Sequence, residues 1–267
     1  MITVRDVWRD LEKIRADAPL VHNITNYVVM NTTANALLSL GASPVMAHAV
    51  DEVEEMVGLA SALVINIGTL SAPWVEAMFK AAGAARRKGI PLVVDPVGAG
   101  ATGLRTETAR RLLVEGRPTI VRGNGSEIRA LLEAKGETKG VDSRHDAEAA
   151  LDAARTISQA QGCAISISGP VDVIVRDRDV IRVANGHPMM AKVTGLGCTA
   201  TALTGAFAAV NPDALRAAAH AMAVMGIAGE IAAGRASGPG SFQMHFLDAL
   251  YLLDEDDIGS RLRVESV

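Results

Sequence analysis

Cysteines and aromatic residues are scarce in this chain. Its 267 residues include 2 cysteines, and Phe, Trp and Tyr together make up 3% of the sequence. So few cysteines cannot form a disulfide framework, and free thiols are typical of a reducing compartment. The N-terminal segment, residues 1–15, is charged throughout and lacks the apolar run of a secretory signal peptide. We therefore expect a cytoplasmic protein.

A surplus of positive charge is also absent. Lys and Arg number 26, and Asp and Glu number 30, which gives a formal net charge of −4. Nucleic-acid-binding proteins usually carry a basic surplus, so we expect no nucleic-acid partner. The hydrophobic share of 49% and the charged share of 21% exclude intrinsic disorder.

A long uncharged run, residues 193–212, reaches the length of a membrane span. The run is rich in glycine and threonine, and it also contains Asn211. This composition favours a glycine-rich turn followed by a buried helix. We therefore expect no association with a membrane.

Short apolar runs alternate with segments of helical periodicity along the chain. Strands are predicted at residues 62–67, 90–94, 119–122 and 163–168, and a hairpin at residues 171–183. Helices are predicted at residues 3–18, 28–40, 51–60, 73–88, 105–114, 126–134 and 143–161, and throughout the chain after Gly197, with breaks at residues 211–212 and 234–240. Strands that are apolar throughout have both faces covered by helices. We predict one α/β domain over residues 1–267, with three layers and a mostly parallel central sheet that has helices on both faces.

Polar and glycine-rich clusters follow the predicted strands, at residues 68–69, 95–100, 122–127 and 168–169. In a parallel sheet, ligands bind beyond the carboxyl ends of the strands. Asp95 can reach a metal ion or its waters there, and the guanidinium of Arg122 can hold a phosphate. Each cluster also has a plainer interpretation, because Asp95 can begin a turn, and Asn124 and Glu127 can begin a helix.

The strongest local motif is TGLGCTA, residues 194–200, which leads directly into a long apolar helix. Glycines at a helix entrance let a ligand approach the backbone, and the free N–H groups of the first turn hold an anion. The string also matches G-x-G-x-x-A, but no hydrophobic strand precedes it, which weighs against a dinucleotide fingerprint. A plain glycine-rich helix entrance is the remaining alternative.

Other nucleotide and metal motifs are missing from the sequence. It contains no G-x-x-x-x-G-K-[ST] string and no H-E-x-x-H string, which excludes a P-loop and argues against a zinc site. The polar string HNITN, residues 22–26, precedes a predicted helix that Thr25 or Asn26 can cap. Cys163 lies in a predicted apolar strand and is expected to be inert core.

Several strings, in order along the chain, carry a resemblance to a known family. They are PLVHNITNYVVMNTTANALLSLGASPVMA (residues 19–47), INIGTL (65–70), PLVVDPVGAG (91–100), VRGNGSEI (121–128) and TGLGCTATAL (194–203). On these strings the chain resembles the hydroxyethylthiazole kinases, which belong to the ribokinase-like superfamily. The resemblance spans nearly the whole chain and implies a ribokinase-like kinase fold.

The resemblance implies that ATP phosphorylates the hydroxyl of 4-methyl-5-(2-hydroxyethyl)thiazole, as a step towards thiamine. It also implies magnesium and a homotrimer with active sites at the subunit boundaries. By resemblance, Cys198 is the catalytic residue beside the acceptor hydroxyl, where most ribokinase-like enzymes have an Asp base. The resemblance further implies that the thiazole is bound by Asn26, Met46 and Gly195, that ATP is bound by Arg122, Asn124, Ser168, Thr194 and Gly197, and that magnesium is organised by Asp95 and Glu127.

Departures from the family pattern are small. Ser168 stands where the family often has Thr and keeps the hydroxyl, and Leu196 stands where a smaller residue is expected. The alternatives are a related kinase acting on hydroxymethylpyrimidine and a nucleotide- or thiazole-binding regulator without catalysis. Cys198 and the HNITN string weigh against the first, and the intact acidic and glycine-rich strings weigh against the second. Because Cys198 lies at a helix N-terminus, we expect the helix to favour its thiolate, whereas the incoming phosphates oppose it, so no free thiolate is assumed when both substrates are bound.

Overall fold

One sheet runs through the parts of the chain that the computed structural model describes, residues 2–132 and 143–266. In spatial order its strands are β2-β1-β3-β4-β5-β6-β7-β8-β9. Their bounds are β1 (Leu20–Ile24), β2 (Ser43–Val45), β3 (Ala62–Asn66), β4 (Leu92–Asp95), β5 (Ile120–Asn124), β6 (Ala164–Ser168), β7 (Asp172–Arg176), β8 (Asp179–Val183) and β9 (Val264–Ser266). Neighbours from β2 to β6 are parallel, and the pairings from β6 to β9 are antiparallel. The mostly parallel sheet predicted from the sequence is confirmed.

Helices cover both faces of this sheet and complete the three predicted layers. One face is covered by α1 (Val4–Asp17), α2 (Met30–Leu40), α8 (Leu196–Val210), α9 (Ala214–Arg235), α10 (Pro239–Leu252) and α11 (Glu255–Arg261). The other is covered by α3 (Val53–Leu59), α4 (Ala72–Lys88), α5 (Gly103–Arg111), α6 (Gly125–Ala130) and α7 (Ser143–Gln161). Because side chains of a strand alternate between faces, Val64 of β3 packs in the first core and its neighbours Leu63 and Ile65 in the second.

The first two helices begin differently. α1 begins at a capping box, in which the Thr3 hydroxyl accepts from the Asp6 N–H (3.2 Å) and the Thr3 N–H donates to the Asp6 carboxylate (3.1 Å). α2 begins after Val29 without a side-chain cap. Neither Thr25 nor Asn26 caps that helix, so the capping interpretation of HNITN is wrong.

Most predicted elements are present with shifted ends. The helix predicted at residues 143–161 is α7, whereas the helix predicted at residues 105–114 divides into α5 and a π-helical turn, Leu112–Gly116. The helix predicted at residues 126–134 ends at Ala130 as α6, and residues 133–134 of that prediction lie outside the described residues.

Three strands were not predicted. β1 carries His22 and Asn23, and these polar residues interrupt the apolar run that marks the other parallel strands. β2 and β9 have 3 residues each, which is too short for a recognisable pattern. The expectation that the whole chain after Gly197 is helical is therefore wrong, since β9 pairs with β8 at the antiparallel edge.

α9 is long and apolar enough to cross a membrane by length and composition. In the fold, 78% of its most apolar window is buried. The helix packs against α8, α10 and strands β6 to β8, which accounts for its hydrophobicity. The run at residues 193–212 forms α8, which is buried against β1, β3 and β4.

Candidate active site

Polar residues end four adjacent parallel strands at the same edge of the sheet. Asn66 ends β3 opposite Asp95, which ends β4. Asn124 ends β5 opposite Ser168, which ends β6. Because Val94 pairs with Val121, Asp95 is level with Arg122, and the Asn124–Ser168 pair lies two residues further along. All four side chains lie at the edge where the carboxyl ends of parallel strands receive ligands.

Helix α8 begins at this edge, at Gly195. The φ of Gly195 is 83°, in the left-handed region, and a Cβ there would lie 2.6 Å from Cγ1 of Val29. Backbone conformation and close approach both require glycine at this position. The first-turn N–H groups of a helix have no intrahelical acceptor, so the entrance of α8 presents donors to an anion.

A chain of hydrogen bonds connects the α8 entrance to the strand ends. The side-chain amide of Asn26, just beyond β1, donates to the sulfur of Cys198 (3.4 Å) and to Oδ1 of Asn66 (2.9 Å). The Asn66 amide donates to Oδ2 of Asp95 (2.8 Å), and the hydroxyl of Thr201 in α8 donates to the same oxygen (2.7 Å). Two predicted substrate-side residues, Cys198 and Asn26, are therefore joined to the predicted metal residue Asp95.

Burial changes the protonation of two groups in this network. Burial raises the pKa of Asp95 to about 7, against the opposing charge of Arg122, and the nearby negative charge of Glu127 adds to the rise. Burial and the negative charge of Asp95 raise the pKa of Cys198 to about 11, and the amides of Asn66 and Asn26 oppose them. This direction is opposite to the thiolate expected from the helix N-terminus, because burial and the charge of Asp95 favour the neutral thiol near pH 7.

Arg122 lies beneath the first turn of α8. The residue is 9% exposed, and Nη1 donates to the carbonyl oxygen of Gly197 (2.8 Å). Gly197 lets the guanidinium approach this closely, since a Cβ there would lie 3.0 Å from Nη1. Nε of Arg122 is buried and has no hydrogen-bond partner among the described residues. The positive charge of Arg122 therefore sits between the strand ends and the helix entrance.

Asn124 and Glu127 form the capping box of α6. The Asn124 side chain accepts from the Glu127 N–H (2.9 Å), and the Asn124 N–H donates to Oε2 of Glu127 (2.9 Å). The other carboxylate oxygen, Oε1, accepts from the N–H of Gly98 in the loop after β4 (2.8 Å). The helix-start interpretation of these two residues is correct, and the same contacts place Glu127 beside the end of β4.

Asp95 and Glu127 fit a magnesium ion as an incomplete ligand set. No group of three or more His, Cys, Asp or Glu that could hold a metal is found within residues 2–132 and 143–266. Magnesium usually takes one or two carboxylates and completes its shell with waters and substrate phosphates. The negative charge of Glu127 contributes to the raised pKa of Asp95, so a cation bound between the two carboxylates would relieve this repulsion. Each carboxylate oxygen also has a second lone pair beyond the hydrogen bonds described above.

Other predicted residues lie at the same edge without joining the network. Met46 follows β2, and its carbonyl oxygen accepts from Nδ1 of His48 (3.3 Å). Thr194 is exposed and precedes the α8 entrance. The Ser168 hydroxyl donates to the carbonyl oxygen of Gly123 (3.4 Å). Within the described residues, no hydrogen bond joins Met46, Thr194 or Ser168 to Cys198.

Asn66, Thr201 and Arg105 belong to the site, although the sequence did not single them out. Arg105 donates to the carbonyl oxygens of Ile67 (3.3 Å), Val97 (2.8 Å) and Gly68 (2.7 Å), and so ties together the loops after β3 and β4. The signal for Asn66 was a polar residue within the apolar run ALVINI, two residues before Gly68. No local pattern distinguished Thr201 from the other threonines of α8.

Comparison with known proteins gives a consistent result. A family model described as "Hydroxyethylthiazole kinase family" matches residues 11–256. The hydroxyethylthiazole kinase of Syntrophus aciditrophicus is 60% identical over 264 residues, which cover 98% of each chain. The hydroxyethylthiazole kinase of Nitratidesulfovibrio vulgaris (strain Miyazaki F) is 57% identical, with 97% of each chain covered.

Solved structures agree with these relatives. The structure of the hydroxyethylthiazole kinase protein from Pyrococcus horikoshii has a TM-score of 0.91 and 44% identity, with 98% of this chain and 99% of that chain covered. The pyridoxal kinase of Staphylococcus aureus in complex with AMP-PCP and pyridoxal has a TM-score of 0.65 at 16% identity, with 93% and 98% covered. The second likeness concerns the fold alone.

Proposed function

The chain belongs to the hydroxyethylthiazole kinase family, and we propose that it transfers the γ-phosphoryl group of ATP to the hydroxyl of 4-methyl-5-(2-hydroxyethyl)thiazole. The product is the thiazole phosphate that is used to make thiamine. One observation supports the proposal above all: a continuous chain of hydrogen bonds links the first turn of α8 to the strand ends. It runs from Cys198 to Asn26, from Asn26 to Asn66, and from Asn66 to Asp95.

Phosphoryl transfer needs positioning and charge neutralisation more than covalent chemistry from the protein. The entrance of α8 supplies N–H donors for the phosphoryl oxygens as charge develops on them. Arg122 adds a fixed positive charge beneath the same turn. Its bond to Gly197 uses one N–H of a guanidinium that has five, so others are left for ATP phosphates.

On the acceptor side, Cys198 is the group beside the hydroxyl. A thiol with a pKa near 11 is already protonated near pH 7, so Cys198 mainly positions the hydroxyl, and only its small thiolate fraction can accept the hydroxyl proton. A loose transition state requires little base assistance, which is consistent with this role. Asn26, Met46 and Gly195 are the proposed thiazole-binding residues, and the N–H that Asn26 directs at the sulfur favours one orientation of the thiol.

On the nucleotide side, Arg122, Asn124, Ser168, Thr194 and Gly197 are the proposed ATP-binding residues. Asp95 and Glu127 would hold magnesium, which when bound neutralises charge on the phosphates. Asp95 keeps one carboxylate oxygen, Oδ1, free of hydrogen bonds from the described residues, and this oxygen is available to a cation.

We further propose that one domain, residues 1–267, assembles into a homotrimer in the cytoplasm, with active sites at subunit boundaries. Tyr27 and Val28 follow Asn26 directly, and they are 66% and 64% exposed. Large apolar side chains exposed beside a binding site are typical of a surface that another chain covers. Sedimentation equilibrium of the purified protein measures the assembly, and a monomer at all concentrations would contradict it.

A coupled assay of ADP release tests the function against its two alternatives. The enzyme is given ATP and magnesium with the thiazole alcohol, with hydroxymethylpyrimidine, or with no acceptor. The proposal predicts rapid ADP release in the arm with the thiazole alcohol and slow release in the other two arms. Faster release with the pyrimidine would identify the related kinase, and release at the acceptor-free rate in all three arms would identify a non-catalytic binding protein.

A further inference from the structure

Asn66 is buried at the junction between the two halves of the site. It is the last residue of β3 and 1% exposed. Its side chain contacts Asn26 on the acceptor side and Asp95 on the phosphate side. No single residue other than Asn66 bonds to both of these groups in the described part of the chain.

Backbone donors determine which way the Asn66 amide points. The N–H of Gly68 donates to Oδ1 of Asn66 (2.9 Å), and a backbone N–H can only donate. The Asn66 amide nitrogen is thereby directed at Asp95 Oδ2 (2.8 Å). The oxygen and nitrogen of an asparagine amide are assigned from their hydrogen bonds, and this anchor leaves one assignment.

The same logic orients Asn26. Asn66 Oδ1 is an acceptor, so the Asn26 amide nitrogen faces it, and that nitrogen also reaches the sulfur of Cys198. The Asn26 oxygen accepts from the backbone N–H of Val28 (3.1 Å), which requires the same orientation from the other end. Gly68 packs closely here, since a Cβ on it would lie 2.6 Å from the Asn26 amide nitrogen. The Asn26 amide therefore has one orientation and little room to move.

Thr201 completes the arrangement from α8. Its hydroxyl shares Asp95 Oδ2 with the Asn66 amide (2.7 Å), so this oxygen receives two donors. The carboxylate is held from the strand side and from the helix side at once. Thr201 also lies one helical turn after Cys198, which couples the orientation of Asp95 to the placement of the α8 entrance.

We propose that Asn66 is a positioning residue: it directs the Asn26 N–H at the Cys198 sulfur and holds the Asp95 carboxylate, with Thr201, so that the acceptor and phosphate halves of the site keep one geometry. This proposal rests on the proposed kinase function. Asn66 touches neither the reacting hydroxyl nor the phosphates in this account and acts through Asn26 and Asp95.

The main test compares Asn66→Ala with Asn23→Ala, a matched control. Asn23 is also a buried strand asparagine, but its amide bonds only to Val21 of its own strand (2.9 Å). We expect Asn66→Ala to lower kcat by at least about tenfold and to raise the KM for the acceptor, because two buried hydrogen bonds to site groups are lost. Asn23→Ala should retain kcat within about twofold at a comparable loss of Tm. Equal kcat in the two variants would overturn the proposal.

Thr201 provides a second pair that keeps the test valid if Asn66→Ala does not fold. Thr201→Val is nearly isosteric, and Thr204→Val is its control one turn later, where the hydroxyl bonds to the helix carbonyl of Ala200 (2.8 Å). We expect Thr201→Val to lower kcat by about threefold or more with the acceptor KM unchanged. Thr201→Ser keeps the hydroxyl and should have at least about half of the wild-type kcat. Thr204→Val should match the wild type. Identical kinetics for Thr201→Val and Thr204→Val would contradict the proposal.

A readout without catalysis separates failure of this proposal from failure of the kinase function. Cys198 is alkylated with iodoacetamide at one pH, and buried Cys163, whose pKa is about 12, serves as the slow internal reference. Without the Asn66 oxygen, the Asn26 N–H is no longer directed at the sulfur and stabilises the thiolate less. Alkylation of Cys198 in Asn66→Ala should therefore slow by about threefold or more, and Asn23→Ala should not change it. The wild type could prove inactive on the thiazole alcohol while alkylation still slows in Asn66→Ala and not in Asn23→Ala. That result would refute the kinase function and keep the positioning role. An unchanged alkylation rate in Asn66→Ala would overturn the positioning role.

Discussion

The sulfur of Cys198 lies 3.4 Å from the side-chain amide nitrogen of Asn26, although the two residues are far apart in the chain. Asn26 follows the strand β1, and Cys198 is in the first turn of α8. The contact brings the polar string HNITN to the glycine-rich helix entrance. It also identifies the sulfur as a hydrogen-bond acceptor, which suits a neutral thiol that orients a neighbouring hydroxyl.

Replacement of Cys198 tests whether its role is positioning. Cys198→Ala should slow turnover by about 10- to 1000-fold without abolishing it, because the helix entrance and Arg122 still stabilise the transferred group. Cys198→Asp should remain active, since a carboxylate in the same place accepts the hydroxyl proton. Steady-state kinetics measure both variants. A folded Asp variant that binds both substrates but is completely inactive would refute this role.

Asn26→Leu should weaken the acceptor more than ATP. The change removes the N–H at the Cys198 sulfur and the bond to Asn66, both on the acceptor side. We expect the acceptor KM to rise by about tenfold or more with a smaller change in the KM for ATP. Asn35→Leu, on the surface of α2, is the control. If both KM values rise equally and Tm falls, Asn26 is a structural residue only.

Glu127→Gln should impair the enzyme chiefly when magnesium is limiting. Glutamine can keep only one of the two backbone N–H bonds that the Glu127 carboxylate accepts, from Asn124 and from Gly98, so we expect a loss of stability of about 1–2 kcal/mol with the fold retained. The lost charge weakens a carboxylate pair that favours a cation. A magnesium titration of the initial rate should show a higher requirement, with Glu54→Gln as an exposed control. The same magnesium dependence as the wild type would remove Glu127 from the metal site.

A buried pair far from the site should control stability in acid. Asp10 in α1 accepts from Nδ1 of His220 (2.6 Å) and from Asn211 (2.6 Å). Burial raises the pKa of Asp10, but these hydrogen bonds outweigh it and hold the pKa below its ordinary value. A lowered carboxyl pKa stabilises the fold above the unfolded-state pKa of about 4, and this contribution is lost as the pH falls through the folded-state pKa.

Asp10→Asn should therefore lower Tm at pH 7, because it leaves His220 buried without its charged partner. The Tm of the wild type should fall between about pH 5 and pH 3, where carboxyl groups titrate, and the Tm of Asp10→Asn should fall less over the same range. Differential scanning calorimetry across that range measures both effects. Asp256→Asn, at an exposed position, should behave as the wild type does. An acid-induced fall in Asp10→Asn as steep as in the wild type would contradict this account.

The fold was largely predictable from the sequence, because apolar strands and periodic helices each leave a local pattern. Strand β1 was not predictable, because it contains His22, a polar residue that is buried only with a partner outside the strand. Nε2 of His22 donates to the carbonyl oxygen of Ala47 (2.7 Å). The position of a candidate site residue was predictable where a polar residue follows an apolar strand, as for Asp95 at the end of β4. Thr201 was not, because only the packing of α8 against β4 gives its hydroxyl a partner.

The protonation of Cys198 could not be predicted from its place in a helix. Its position in the first turn of α8 favours the thiolate, and that local effect is all that the sequence displays. Burial and the charge of Asp95 act through space and raise the pKa to about 11. The balance between these effects requires the tertiary structure.

Mass spectrometry of one reaction mixture tests the central claim most directly. The wild-type enzyme is incubated with ATP, magnesium and the thiazole alcohol, and both the small molecules and the intact protein are analysed. The account predicts thiazole phosphate in equal amount to ADP, with Cys198 unmodified at every time point. ADP without thiazole phosphate, or a phosphorylated Cys198 that forms and decays during turnover, would contradict it.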